Sequence, residues 1–148
     1  MLLRRKLITM PKSTESEAQQ TEAHVDLQLL ARFLSGDPRI VTATVFGSAQ
    51  NGTVQPGSDL DIGLLFPERL SGDAFLAFYS ELCEAVPDIE VIDVVSLNDA
   101  NPILAFEAIN GRFLVKNDME KAAEFVSLVC REYEDVMVNL ERQRQWAA

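Results

Sequence analysis

Three short runs of β-prone apolar residues constrain this chain most: Ile40 to Phe46, Leu60 to Phe66 and Ile89 to Val95. Runs of that length, bounded by Gly, Pro or polar residues, suit buried strands. Around them the period changes to that of a helix. Val25, Leu29 and Phe33, with Leu30 and Leu34, recur at helical spacing, and Gly36-Asp37-Pro38 stops that helix. Ser71 is an N-cap for a helix to Val86, with Pro87 behind it. Asn101-Pro102 reads as an N-cap followed by a proline at the first helical position, and Gly111 stands where a left-handed C-terminal residue belongs. Phe113 to Val115 is a short fourth strand at an edge. Asn117 with Glu120 reads as a capping box that opens a long helix from Asp118 to Trp146. Strands alternating with helices predict an α/β (α+β) domain whose sheet is mostly buried under helices.

The 148 residues suit a single core. We place one domain at 23–148, its C-terminal helix at 118–146, behind a leader at 1–22. Lys12 to Thr21 is rich in Ser, Glu and Gln and has no apolar period, as expected of a flexible leader. No apolar run is long enough to span a bilayer. Met1 to Met10 lacks the continuous apolar stretch and small-residue cleavage site of a secretory signal. Cys83 and Cys130 fall in helical segments among apolar neighbours, as buried thiols of a cytoplasmic protein do.

The net charge of −10 is unevenly spread. Residues 1–12 hold four bases (Arg4, Arg5, Lys6, Lys12) and no acid, whereas 41–110 hold eleven acids against one base, Arg69. Such a surface repels phosphate backbones, which argues against a long nucleic-acid partner. It suits divalent cations or a basic protein better, although acidity alone also serves solubility.

The chemistry concentrates in Gly47-Ser48, ten intervening residues, then Asp59-Leu60-Asp61. Two residues apart on a strand, Asp59 and Asp61 share a face, while Leu60, Ile62 and Leu64 share the other. Neighbouring carboxylates repel and resist burial unless something positive lies between them, and magnesium prefers such oxygen ligands. An Asp-x-Asp alone is equally at home on the solvated mouth of a strand. Gly47-Ser48 directly after a β-rich run alters the balance. Backbone N–H groups and a hydroxyl at such a turn make an anion site suited to a triphosphate, whereas a lone Gly-Ser is an ordinary tight turn. Asp93 interrupts the apolar run from Ile89 to Val95, sharing a face with Val91 and Val95. A carboxylate there is costly unless paired or metal-bound, and the surrounding stretch has almost no cation to pair with it. Glu90, on the opposite face near the strand start, reads as solvated.

Gly47-Ser48, the ten-residue gap, Asp59-x-Asp61 and Asp93 on a later strand together resemble the DNA polymerase β-like nucleotidyltransferase superfamily. The short chain, and the segment from Asp93 through Asn101-Pro102 to Gly111-Arg112, look like the minimal nucleotidyltransferase (MNT) antitoxins that pair with HEPN-domain ribonuclease toxins. The resemblance covers roughly residues 40–115. It implies a nucleotidyltransferase fold, a small mixed sheet flanked by helices, and transfer of AMP from ATP to a tyrosine of the toxin. Carried over by position, Gly47 and Ser48 hold the triphosphate. Asp59 and Asp61 bind magnesium, and Asp93 completes the metal site and helps activate the incoming hydroxyl. Relatives commonly carry arginines just after the Gly-Ser pair, where this chain has Ala49-Gln50-Asn51. That departure leaves open a non-catalytic antitoxin acting by binding alone. A small-molecule adenylyltransferase of the aminoglycoside type is a further alternative, though those enzymes usually carry an added helical domain.

The C-terminal helix carries a broad apolar stripe that includes Ala122, Phe125, Val129, Tyr133, Val136 and Leu140. Packing on its own domain explains most of it, and the surplus length suits contact with a partner or a second copy. His24, the only histidine, is expected to be exposed at the start of the first helix. With no histidine near the motif and no paired cysteines, zinc and Ser-His chemistry have no support.

Overall fold

The computed structural model describes the backbone of residues 2–4 and, beyond it, residues 22–87 and 92–147. Among the described residues there are twelve elements, counting one short 3-10 turn at Gly47–Ala49. The strands are β1 (Leu2–Arg4), β2 (Ala23–His24), β3 (Thr42–Phe46), β4 (Thr53–Val54), β5 (Leu60–Leu65), β6 (Ile92–Ser96) and β7 (Arg112–Lys116). The helices are α1 (Leu27–Leu34), α2 (Gly72–Ala85), α3 (Pro102–Ile109) and α4 (Met119–Ala147). Five strands form one mixed sheet in the order β1-β6-β5-β3-β7, and β2 and β4 form a separate pair. Among the described strands only β5 and β6 run parallel; the other neighbours in the main sheet are antiparallel.

The alternation of side chains across the sheet divides the core. Ala43, Val45, Leu60, Ile62, Leu64, Ile92 and Val94 lie in one layer with Leu30 and Leu34 of α1 and Phe75, Phe78 and Leu82 of α2. Phe46, Leu65 and Val95 lie in the other, against Ala108 of α3 and Ala122 and Phe125 of α4. In the first layer Phe66 meets Phe75 and Phe78 edge-on, at centroid separations of 6.0 and 5.8 Å. Helices thus cover both faces of the sheet, as the alternating pattern requires.

Local caps fall where the sequence places them. The Ser71 hydroxyl accepts from Ala74 N at 3.2 Å, and the Asn101 side chain accepts from Leu104 N at 2.9 Å, with Pro102 opening α3. Cys83 is buried, Cys130 is half-buried, and the two are not joined in a disulfide. The Ile89 to Val95 run is described only from Ile92, so the readings of Glu90 and Val91 lie outside the described residues.

Four expectations need correction. Helix α1 starts at Leu27, because the Asp26 carboxylate caps it by accepting from Gln28 N and Leu29 N. The preceding residues pair instead with β4, so the exposed His24 lies in β2 and not in a helix. Leu2–Arg4, placed in the leader by composition, pairs with β6 along the sheet edge; main-chain bonding needs no apolar pattern. Residues 5–21 lie outside the described residues.

Gly111 is not a left-handed cap. Positive φ occurs among the described glycines at Gly36, Gly47, Gly52 and Gly57. Gly111 is needed for space: a Cβ there would press on the Val45 carbonyl and lie 2.6 Å from Phe46 Cβ. Nor does Asn117 cap α4. Asp118 does so, accepting from Lys121 N at 3.0 Å. The Asn117 side chain accepts from Gly36 N at 3.1 Å and donates to the carbonyls of Leu34 and Ile40 at 2.9 and 3.1 Å. It therefore satisfies the end of α1 from across the fold.

Helix α4 has 29 residues, a length of about 43 Å at the usual rise. Ala122 and Val129 are buried, and Tyr133 stacks on Phe106 of α3 at 3.7 Å. Beyond that contact Val138, Leu140 and Trp146 are exposed, Trp146 by 89%. None of the described helices is long and apolar enough to cross a membrane.

Asn117→Ala removes bonds to four separate main-chain groups, of Leu34, Gly36, Asp37 and Ile40, whereas Asn101→Ala removes one local cap. Urea unfolding is expected to show a loss of about 2–3 kcal/mol for the first and about 1 kcal/mol for the second. Equal losses would contradict the bridging role of Asn117.

Candidate active site

Antiparallel pairing of β3 with β5 sets Phe46 opposite Asp61. The parallel pairing of β5 with β6 sets Asp61 beside Asp93. In-register residues on neighbouring strands project to the same face, so the two carboxylates share the face that carries Phe46, Leu65 and Val95. Leu60, Ile62 and Leu64 are fully buried on the other face. Asp59 lies one residue before β5 begins and is half-buried, as is Asp61. Asp93 is buried, at 7% exposure. All three aspartates have interactions within the chain.

Gly47 follows Phe46 directly and turns the chain with φ of +73°. A Cβ at this position would collide with the Asp61 carboxylate Oδ2. The glycine is thus required twice: its backbone is left-handed, and the carboxylate occupies the space a side chain would take. Gly47 and Ser48 are exposed, while Ala49 turns back into the first core layer. The structure therefore brings Gly47 against Asp61, and Asp61 into register with Asp93, at one end of the sheet.

Adjacent strands lie about 4.8 Å apart. Two like charges near that spacing repel by about 3 kcal/mol in a surface-like dielectric. The donor set is all oxygen, the kind magnesium takes. Among the described residues, no three His, Cys, Asp or Glu side chains close around one point as a complete metal cage. Magnesium commonly takes one or two carboxylates and completes its shell with water and substrate phosphates. The in-register pair fits that mode and not a preformed cage.

One base beside the sheet, Arg69, is engaged elsewhere. Arg69 follows β5 and forms an ion pair with Asp99, which follows β6. That pair sits at the opposite end of the parallel strands, and the guanidinium holds the Asp99 carboxyl below its usual range. Beneath the site, Thr44 is fully buried and its hydroxyl has no hydrogen-bond partner among the described residues. A Cβ on Gly63 would lie 2.9 Å from that hydroxyl and 3.3 Å from Ala108 Cβ. Gly63 thus lets α3 approach the sheet. This packing role is invisible in a glycine that merely follows the Asp-x-Asp motif.

The family profile described as polymerase β, nucleotidyltransferase, matches residues 28–120, which include every residue of this arrangement. The chain belongs to that family. Among solved structures, the nucleotidyltransferase is similar to a chain of a toxin–antitoxin crystal structure with AMP-PNP. The identity is 20%, 83% of this chain and 98% of that chain are covered, and the TM-score is 0.64. It is also similar to a chain of the tri-AMPylated Shewanella oneidensis HEPN toxin in complex with MNT antitoxin. There the identity is 18%, coverage is 82% and 98%, and the TM-score is 0.60. A third likeness is to a chain of the toxin–antitoxin MntA-HepT, at 18% identity, 80% and 90% coverage and a TM-score of 0.56. At these identities the likeness is one of fold. No curated protein matches the nucleotidyltransferase sequence.

Gly47→Ala adds both backbone strain and a collision, whereas Gly57→Ala adds strain alone, since Gly57 has φ of +79° and open space around it. Denaturant unfolding should show about 1 kcal/mol lost at Gly57. The loss at Gly47 should be larger. Equal losses would mean that the Asp61 carboxylate does not press on the Gly47 backbone.

Proposed function

We propose that this nucleotidyltransferase transfers AMP from ATP to a tyrosine of a cognate HEPN ribonuclease toxin and acts in that way as an antitoxin. The observation that carries the reading is the closeness of Gly47 to the Asp61 carboxylate, with Asp61 in register with Asp93, at one sheet end. A turn exposing Gly47 and Ser48 accepts the phosphates, and the carboxylates beside it hold the magnesium that accompanies them. Asp59 and Asp61 serve as metal ligands, and Asp93 completes the set. When bound, magnesium supplies positive charge at the entering and leaving oxygens.

In the reaction the acceptor hydroxyl oxygen forms a bond to the α-phosphorus, while the bond from that phosphorus to the β-bridging oxygen breaks. Pyrophosphate leaves with the electron pair. Asp93, buried at the sheet end, takes up the hydroxyl proton. Asp59 and Asp61 orient the polyphosphate for in-line attack, so the chain contributes mainly position and neutralisation.

The partner assignment draws on charge and on the neighbours in fold. Eleven acids against one base over residues 41–110 suit a basic protein. The neighbours are toxin–antitoxin pairs, one of them with an AMPylated HEPN toxin. The exposed distal end of α4, with Val138, Leu140 and Trp146, offers the apolar surface for such a partner or for a second copy. A cytoplasmic location accords with two cysteines that are not joined in a disulfide.

One observation favours a second reading, an antitoxin that neutralises by binding alone. The positions after Gly47-Ser48 hold no base, and Ala49 is fully buried there. The two readings separate in one experiment: the chain is incubated with its genomic neighbour, α-labelled ATP and magnesium, and the products are weighed intact. Adducts of AMP on the partner are expected, and Asp59→Asn with Asp61→Asn should abolish them. Undiminished labelling by that double variant would rule out the metal mechanism. Protection of cells by the same variant would favour binding over chemistry.

A further inference from the structure

Residues 1–12 carry four bases and no acid, and the reading of the site gives them no role. The family profile begins at residue 28, so they also lie outside its match. Yet β1, Leu2–Arg4, joins the main sheet at its edge, next to the strand that carries Asp93.

The register of β1 sets Leu2 beside Val95, Leu3 beside Val94 and Arg4 beside Asp93. Residues paired on neighbouring strands belong to one face of the sheet. Across that face the order is Arg4, Asp93, Asp61 and Phe46, with Gly47 next along the chain. A base therefore closes the acidic row, one strand spacing from Asp93 and two from Asp61, or about 5 and 10 Å. Both spacings are comparable to the screening length of physiological salt or shorter, so the charges act on one another. Neither aspartate is without a partner in the chain. Three other bases beside the sheet are placed elsewhere. Arg112 is in register with Val45 on the opposite face, Lys116 with Thr42 at the far end of β3, and Arg69 is bound to Asp99.

We propose that Arg4 is the resident counter-charge of the acidic site and makes uptake of the divalent cation depend on the nucleotide. The proposal rests on the nucleotidyltransferase reading and names a control on its metal site. A positive charge in the row offsets part of the repulsion between Asp61 and Asp93. An arginine keeps that charge at any working pH. A divalent cation entering alone is repelled by it. A cation entering with a triphosphate brings negative charge that outweighs the repulsion, so the pair is admitted where the bare ion is not. The acidic end is thereby kept from filling with metal before the nucleotide arrives.

The test is electron paramagnetic resonance of free Mn²⁺ with the full chain, first without nucleotide and then with α,β-methylene ATP. Arg4→Met removes the charge and keeps an unbranched side chain. Without nucleotide it is expected to bind Mn²⁺ about tenfold more tightly than the unaltered chain, or better. Arg4→Lys, which keeps the charge, should bind as weakly as the unaltered chain, and so should Arg112→Met, which removes a base from the opposite face. With α,β-methylene ATP the advantage of Arg4→Met should shrink or reverse. Circular dichroism of each variant monitors folding, and Arg4→Gln repeats the comparison should Arg4→Met not fold. If the unaltered chain takes up Mn²⁺ with the analogue, and neither Arg4→Met nor Arg4→Gln binds it more tightly without, this proposal alone falls. It falls equally if Arg4→Lys or Arg112→Met gains as much as Arg4→Met. If the unaltered chain takes up no Mn²⁺ with the analogue, the metal reading of the site falls and this proposal with it.

Discussion

Asp61 and Asp93 stand side by side on the only parallel strand pair of the described sheet. The register that joins them also brings Asp61 opposite Phe46, and so beneath the turn at Gly47. Slipping either pairing by one residue would move a carboxylate into the apolar layer occupied by Leu60, Ile62 and Val94. The buried surfaces on both sides of the sheet therefore fix the position of the acidic residues. Around that register the fold is arranged to tolerate crowding: Gly47 leaves room for the Asp61 carboxylate, Gly63 for α3, and Gly111 for the β3 backbone.

Much of this arrangement was legible in the sequence because it depends on local rules. Strand periodicity separates Asp61 from Leu60 and Ile62 without any tertiary knowledge. The caps at Ser71 and Asn101 involve partners three residues away, within the same turn of helix. Gly47-Ser48 directly follows β3 and Asp59-x-Asp61, ten residues on, opens β5, so their meeting follows from one antiparallel pairing.

What the sequence hid depends on distant partners. Asn117 has the form of a helix cap, yet its side chain bonds main-chain groups about eighty positions earlier. Gly111 has the form of a C-terminal glycine, yet its role is the clearance it gives to Val45 and Phe46 on another strand. Leu2–Arg4 pairs with β6 along its main chain, at a register that sets Arg4 opposite Asp93. A composition reading assigns such a segment to a leader, because main-chain pairing leaves no mark on residue type.

Membership in the nucleotidyltransferase family explains why an acidic sheet end would be retained at a cost in electrostatic repulsion. The central claim, that a divalent cation and a nucleotide together occupy that end, is tested most directly by manganese uptake. Electron paramagnetic resonance of free Mn²⁺ reads this in the presence of a non-hydrolysable ATP analogue. The expected result is that the unaltered chain removes Mn²⁺ from solution only when the analogue is present, and that Asp61→Asn and Asp93→Asn, shown to be folded, do not. Uptake by those variants equal to that of the unaltered chain, or no uptake by any of them, would contradict it.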